Sequence, residues 1–326
     1  MTIVHSQDTS RLMPNSAAVP TSTIRLGTRA SKLALWQSNW VKSQLETLGH
    51  SVELIQIKTE GDVTAGPLAQ IGGQGLFTKQ LQVALLEEKI DLAVHSLKDL
   101  PTEDHPDLTV AAVPPREDTA DAFVSNRFAA LDELPDKAVV GTGSVRRAAQ
   151  LKHLRPDLEI RDIRGNVDTR LNKLDGAEFD AIILAAAGLK RLGFERRIAH
   201  TFEPDQLLPA VGQGALGLET RKFDIATVSI VRRLSDADSY HRAFAERSML
   251  KTLFAGCLAP VGASTTIVPV SGTSRLTLTG VVLSTDGTER LESTHTLPLE
   301  ESIKLGKIVA DQLMEQGAER LLKSVR

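Results

Sequence analysis

Residues 24–57 read IRLGTRASKLALWQSNWVKSQLETLGHSVELIQI and set the fold of the chain. Residues 24–27 indicate a short strand, and Ser31 caps an amphipathic run that stops at Gly49. Residues 52–57 then alternate between apolar and polar side chains, as a second strand does. This order of strand, helix and strand predicts a mostly parallel sheet covered by helices.

The same alternation continues along the chain. A glycine-rich loop, residues 61–75, leads into a helix over residues 76–88 and a strand over residues 92–94. After a turn-rich stretch, residues 101–121, strands and helices alternate again as far as a strand over residues 181–185. The pattern predicts two α/β domains.

The last part of the chain has a different character. Residues 211–219 resemble a strand that crosses back to the first domain, and a helix over residues 239–253 follows. Alternating strands, clearest at residues 275–279, a hairpin turn at residues 285–288 and a helix from Ser302 predict a small α+β domain. The predicted limits are a disordered tail (1–23), domain 1 (24–115 and 214–235), domain 2 (116–213) and domain 3 (236–326).

Composition restricts the possible partners and compartments. The 326 residues are 41% hydrophobic and carry a formal net charge of −3, so no global attraction to nucleic acid or anionic lipid is expected. No apolar stretch approaches the roughly 20 residues that cross a bilayer, and no signal-peptide pattern opens the chain. Asp8 and sparse arginine weaken a transit-peptide reading. We expect a cytoplasmic protein, and nothing in the sequence requires more than a monomer.

Cys257 is the only cysteine, and it lies in a loop of small residues, 254–263. A single thiol excludes an internal disulfide and a multi-cysteine metal site, and no group of His, Cys or carboxylate residues has ligand spacing, so no metal is predicted. The thiol is a buried spectator, a nucleophile or a covalent attachment point.

Several arginines are predicted at the ends of strands and the starts of helices, where open parallel sheets bind ligands. Each alone is explained by a surface ion pair. Together they predict a polyanionic ligand in the cleft between two domains, because guanidinium groups grip carboxylate or phosphate. These residues are Arg29, Arg146, Arg147, Arg164, Arg170 and Arg191.

The segment 94–101, VHSLKDLP, places polar side chains directly after a buried strand. Asp99 is either a capping or ion-paired carboxylate, or a group that stabilises a cation on a substrate and moves protons. His95 is interpreted as a packed, hydrogen-bonded histidine.

Seven blocks of the sequence, in this order, resemble the porphobilinogen deaminase (hydroxymethylbilane synthase) family. They are residues 26–37, 94–101, 141–147, 161–167, 185–191, 209–215 and the loop around Cys257. The resemblance extends from about Ile24 to the end of the chain. It implies two α/β domains like type II periplasmic binding proteins and a small α+β C-terminal domain.

The resemblance also implies an activity. Members carry a dipyrromethane cofactor on a cysteine thioether, the position of Cys257, and add four porphobilinogen units to it with release of ammonia. Water then frees the linear tetrapyrrole 1-hydroxymethylbilane. Each unit brings acetate and propionate groups, so the growing chain becomes steadily more anionic.

The family's functional residues match positions of this chain. Asp99 matches the catalytic aspartate, which stabilises the cationic azafulvene formed when ammonia leaves. Cofactor-binding residues are matched by Ser96, Lys98, Thr142, Ser144, Arg146, Arg147 and Asp62, besides Cys257. Substrate-binding residues are matched by Arg29, Ser31, Arg164, Arg170, Arg191, Asn166 and Gln213.

Three departures from the family pattern affect local contacts. Gly143 stands where many relatives have a serine, Gln70 and Gln74 stand where some have lysines, and Phe254-Ala255 replaces an acidic residue and glycine. Two alternatives use part of the same evidence. A solute-binding protein would gather arginines but has no need of Asp99 or Cys257. A cysteine hydrolase needs a histidine, and the nearest in sequence, His241, has no evident role.

Overall fold

The computed structural model describes residues 23–57, 78–256, 259–270 and 273–323. Predictions for most of the N-terminal tail, for the glycine-rich loop with Asp62, Gln70 and Gln74, and for Cys257 lie outside these residues. The strands are β1 (Ile24–Thr28), β2 (Val52–Gln56), β3 (Leu92–Ser96), β4 (Leu108–Ala112), β5 (Asp121–Val124), β6 (Val139–Gly141), β7 (Glu159–Arg161), β8 (Ala181–Ala185), β9 (His200–Thr201), β10 (Leu216–Arg221), β11 (Val261–Val270), β12 (Thr273–Leu283) and β13 (Arg290–Pro298). The helices are α1 (Lys32–Thr47), α2 (Lys79–Leu86), α3 (Val145–Leu154), α4 (Val167–Asp175), α5 (Ala186–Arg191), α6 (Ile225–Arg232), α7 (Ala237–Thr252), α8 (Ser302–Glu315) and α9 (Ala318–Lys323).

The first sheet has the strand order β2-β1-β3-β10-β4. Strands β1, β2 and β3 are parallel, whereas β10 runs antiparallel to both of its neighbours. Helix α1 begins where the sequence predicts, because the Ser31 side chain accepts a hydrogen bond of 3.3 Å from the Ala34 N–H. The helix packs Val41 and Leu45 into the core beside the sheet.

The second sheet repeats this pattern in the order β7-β6-β8-β5-β9, and β5 is its antiparallel strand. Two connections therefore cross between the sheets, residues 113–120 and 202–215. They hydrogen-bond to each other: Arg116 Nε donates to the Gln213 carbonyl at 2.8 Å, and the Glu117 N–H donates to the Gly214 carbonyl at 3.2 Å. Gly212 and Gly214 of this double connection line the space between the sheets.

The third sheet, β11-β12-β13, is antiparallel and is covered by α7 and α8. Met249, Leu278 and Val309 belong to its apolar core. Helix α7 also attaches this part of the chain to the crossing connections. Glu246 forms a buried ion pair of 2.7 Å with Arg116 and accepts the Gly212 N–H at 2.8 Å.

The predicted fold class is confirmed, with two α/β sheets followed by a small α+β unit. Two local predictions were wrong. The stretch predicted as turns, residues 101–121, contains strand β4. The crossing strand begins at Leu216 rather than Val211, because Gly212 and Gly214 have φ of +71° and +81° and form a turn. No helix in the described ranges is long and apolar enough to span a bilayer.

Candidate active site

A cleft of about 930 Å³ lies between the first two sheets. Its wall is formed by residues that follow β1, β3 and β8, by the first turns of α1 and α4, and by the crossing connection around Gly212. The predicted site residues that line it are Arg29, Ser31, Ser96, Lys98, Asp99, Arg147, Arg164, Asn166, Arg170 and Arg191. The structure thus brings together residues that are up to 162 positions apart in the sequence, from Arg29 to Arg191.

Thr142, Ser144, Arg146 and Gln213 were predicted for the same site but do not line this cleft. Ser144 and Arg146 line a smaller adjacent pocket of about 40 Å³, which shares Lys98 with the cleft. Gly256 and Ala259 also line the small pocket. The described residues on either side of positions 257–258 therefore reach a pocket that borders the cleft.

Lys98 and Asp99 lie in a single 3₁₀ turn at the end of β3. The Lys98 ammonium donates to Gln213 Oε1 at 3.4 Å. Burial lowers the pKa of Lys98 to about 8; the Asp99 carboxylate opposes this shift and the Arg147 guanidinium adds to it. Behind the same strand end, Gln37 Nε2 donates to Ser96 Oγ at 2.9 Å. His95, as interpreted from the sequence, is packed and hydrogen-bonded, to Glu219 at 2.9 Å.

Arg146 and Arg147 are both bound to Asp121, a residue that the sequence analysis did not select. Asp121 has no exposed surface, and it contacts Arg146 at 2.6 Å and Arg147 at 2.6 Å. Gln213 Nε2 donates to the same carboxylate at 2.8 Å. Burial alone would raise the pKa of Asp121, but the two guanidinium groups outweigh it and hold the pKa below its usual range. The only sequence signal was an acidic residue opening the apolar run 121–124.

The other predicted arginines differ in their partners. Arg164 forms a partly exposed ion pair of 2.7 Å with Asp162, which is the surface pairing expected for any one arginine alone. Arg191 donates to the Gly214 carbonyl at 2.8 Å and lies 5.8 Å from the centre of the Trp36 ring. Arg170 Nε donates to the Gly165 carbonyl at 2.8 Å. These contacts leave guanidinium surface facing the cleft, where a carboxylate-rich ligand would find several donors.

Two family models and a curated relative match most of the chain. The family model described as porphobilinogen deaminase, dipyromethane cofactor binding domain, matches residues 24–229, and the one described as porphobilinogen deaminase, C-terminal domain, matches residues 240–315. A porphobilinogen deaminase from Syntrophotalea carbinolica is 46% identical over 307 residues, which cover 93% of this chain and 96% of the relative. The chain belongs to the porphobilinogen deaminase family. The resemblance carried by the seven sequence blocks is confirmed.

The chain also has a weaker structural similarity to solved solute-binding proteins. The methionine-binding protein MetQ is 15% identical with a TM-score of 0.44, over 69% of this chain and 94% of that chain. Lipoprotein Tp32 from Treponema pallidum is 13% identical with a TM-score of 0.44, over 65% of this chain and 90% of that chain. The family assignment rests on sequence and excludes both alternatives, the solute-binding protein and the cysteine hydrolase.

Gly143, which departs from the family pattern, lies in tight contact with a neighbouring segment. A Cβ atom at residue 143 would lie 2.9 Å from the Ile163 carbonyl oxygen and 3.2 Å from Asp162 Oδ1. The loop before α3 therefore approaches the segment after β7 more closely than a side chain allows. Gly143 brings Ser144, the N-cap of α3, against the segment that carries Arg164.

Proposed function

We propose that this chain is a deaminating transferase that joins four porphobilinogen molecules head to tail on a covalently bound dipyrromethane. Ammonia is released at each addition, and hydrolysis finally frees 1-hydroxymethylbilane. The observation that carries the proposal is the position of Asp99 in a cation-lined cleft that borders a small pocket lined by Gly256 and Ala259. Family membership supplies the reaction, and the geometry supports where it takes place.

The residues beside this pocket fit a cofactor that carries carboxylates. Arg146 lines the pocket, and its buried Nε has no hydrogen-bond partner among the described residues. A buried N–H without a partner is costly unless a ligand accepts from it. Cys257 is proposed to bind the cofactor covalently. The residues proposed to hold it are Ser96, Lys98, Thr142, Ser144, Arg146, Arg147 and Asp62. When bound, dipyrromethane supplies the free pyrrole carbon to which the first unit is added.

Asp99 is the proposed catalytic residue. When the C–N bond of the protonated aminomethyl group breaks, its electron pair leaves with the nitrogen as ammonia, and positive charge develops on the methylene carbon and the pyrrole ring. The free pyrrole carbon of the growing chain then forms a bond to this methylene carbon and loses the proton that it carried. A carboxylate beside this charge lowers the energy of the transition state, because the cleft holds it in place before the charge forms. The same carboxylate is proposed to accept the pyrrole N–H proton and to return it.

Carboxylate recognition is assigned to the cations and polar groups around Asp99. Arg29, Arg164, Arg170 and Arg191 are proposed to bind acetate and propionate groups, with Ser31 and Asn166 as neutral donors. Gln213 is buried, and its side chain donates to Asp121 while its Oε1 accepts from Lys98. Its proposed role is therefore to orient Lys98 rather than to contact substrate.

The domain limits remain a prediction from the sequence, and the enzyme is proposed to act as a monomer in the cytoplasm. A reducing compartment is favoured because the Cys257 thiol has to stay free until the cofactor is attached.

Intact-protein mass spectrometry tests the covalent cofactor directly. We expect the mass to exceed that of the sequence by one dipyrromethane unit, and the excess to be absent from Cys257→Ala. A fully active protein with the unmodified sequence mass would refute the proposal.

Asp99→Asn tests the catalytic assignment separately. This variant should keep the added mass and the folded state but lose at least about 100-fold in turnover, the usual contribution of a positioned acid–base group. A turnover near that of the wild type would remove Asp99 from the reaction. The substitution keeps the volume of the side chain. An unchanged circular dichroism spectrum would exclude misfolding as the cause of lost turnover.

A further inference from the structure

Helix α4 presents two cations to the cleft, Arg170 and Lys173, and the second has no role so far. Both residues line the cleft, and both are half-buried. They are three residues apart on one helix, so they lie on the same face with Cβ atoms roughly 5–6 Å apart. Lys173 therefore extends the cationic wall by one helical turn beyond Arg170.

Three other cations of the cleft already have carboxylate partners within the protein, whereas Lys98 donates to an amide oxygen and Arg191 to a backbone carbonyl. Lys32 pairs with Asp168 at 2.7 Å, and Arg164 pairs with Asp162 at 2.7 Å. Arg147 shares the buried carboxylate of Asp121. These pairs leave part of the cleft electrically compensated before any ligand is bound.

Arg170 and Lys173 are different. In the part of the chain that the structure describes, neither forms an ion pair, and Arg170 spends only its Nε on the Gly165 carbonyl. Burial and the neighbouring cations Arg147 and Arg164 lower the pKa of Arg170 to about 10, and the carboxylates of Asp162 and Asp99 oppose this shift. Positive charge is thus concentrated on this face of α4 without an ion pair to either side chain, which favours an anionic ligand.

We propose that Arg170 and Lys173 form a subsite for the two carboxylates of one pyrrole unit, with Lys173 as a further substrate-binding residue. This inference rests on the proposed function. A porphobilinogen-derived ring carries one acetate and one propionate on adjacent carbons, so two cations one turn apart match its two anions. Each contact is a charge-assisted hydrogen bond or ion pair.

The position on α4 indicates which ring the subsite holds. Asp99 is among the charges that act on Arg170, so Arg170 is near the reaction centre. Lys173 lies in the last turn of α4, whose first turn lines the cleft. We assign the ring that spans the two cations to the growing chain, beyond the ring that reacts at Asp99, because Lys173 lies one helical turn further along α4 than Arg170.

The test counts additions on the loaded enzyme. Wild type, Lys173→Gln and Lys173→Arg are mixed with limiting porphobilinogen, quenched, and examined by intact mass, which resolves complexes carrying one, two, three or four added units. The matched control is Lys307→Gln, which removes an exposed lysine from α8, outside the cleft.

We expect Lys173→Gln to carry the normal cofactor mass and to make the first addition at the wild-type rate. A later addition should slow about tenfold, the equivalent of 1.4 kcal/mol, so that one intermediate accumulates. Lys173→Arg should restore the wild-type distribution because it keeps the charge.

Three results would overturn the subsite. The first is a Lys173→Gln protein whose distribution of added units equals that of Lys307→Gln. The second is a Lys173→Gln protein that slows every addition equally, including the first. The third is a Lys173→Arg protein whose distribution equals that of Lys173→Gln. A wild-type protein without cofactor mass or added units would instead refute the proposed function. The two failures are therefore distinguishable in one data set.

Discussion

Replacing Asp121 by Asn tests whether one buried carboxylate holds the cationic wall together. Asp121 receives hydrogen bonds from Arg146, Arg147 and Gln213, and none of its surface is exposed. Asparagine keeps the volume of the side chain but removes its charge. Two buried guanidinium groups would then face each other and the Lys98 ammonium without a counter-charge.

The structure sets the expected magnitude. Breaking a buried ion pair by removing one partner costs about 3–5 kcal/mol, because the remaining charge stays buried and uncompensated. An exposed pair contributes at most about 1 kcal/mol. Asp168→Asn is the matched control, because it breaks the ion pair between Asp168 and Lys32. The Lys32 side chain is 76% exposed, so this pair is close to solvent. Asp121→Asn should therefore lose at least about 2 kcal/mol more than Asp168→Asn.

The free energy of unfolding of both variants is measured by urea unfolding of the loaded protein, followed by circular dichroism, and is taken from the first unfolding transition. The pKa of Asp121 is held below its usual range, so its stabilisation is present above the unfolded carboxyl pKa and is lost only as pH falls through the lower folded value. The difference between wild type and Asp121→Asn should consequently be the same at about pH 5 and about pH 7. An Asp121→Asn variant as stable as Asp168→Asn would refute the reasoning.

Two further predictions concern the same wall of the cleft. Lys98 has a pKa of about 8, so it loses its charge as pH rises through that value, and the turnover of the loaded enzyme should fall on the alkaline side because the cofactor carboxylates lose a cation. Lys98→Arg should keep a flat turnover over that range, and parallel profiles for the two proteins would show that Lys98 is not the titrating group. Gly143→Ser should destabilise the protein by about 1–3 kcal/mol in urea unfolding, because its Cβ would lie 2.9 Å from the Ile163 carbonyl oxygen. Gly176→Ser is the matched control, because a Cβ atom at residue 176 would meet no atom closer than 3.4 Å. A Gly143→Ser variant of wild-type stability would mean that the loop moves away at no cost.

Much of the fold was predictable because its signals are local. The Ser31 cap, the 3.6-residue period of α1 and the apolar run 181–185 each depend on neighbours in the sequence, and each corresponds to an observed element. The strand β4 was missed because residues 108–112 lie among prolines and acidic residues that indicate turns. Its strand conformation comes from pairing with β10, a hundred residues later in the chain.

By itself the sequence determined the family, the position of Asp99 after a buried strand, and the placement of cations at strand and helix ends. Only the tertiary structure decided which of those cations already have an internal partner. Lys32 and Asp168 are 136 residues apart, and the carboxylate of Asp121 on β5 meets Arg146 on α3. Ion pairing depends on distance and burial in space rather than on sequence spacing. For that reason the folded chain alone showed which arginines are paired, that Gln213 is buried, and that Arg170 and Lys173 form no ion pair within the described residues.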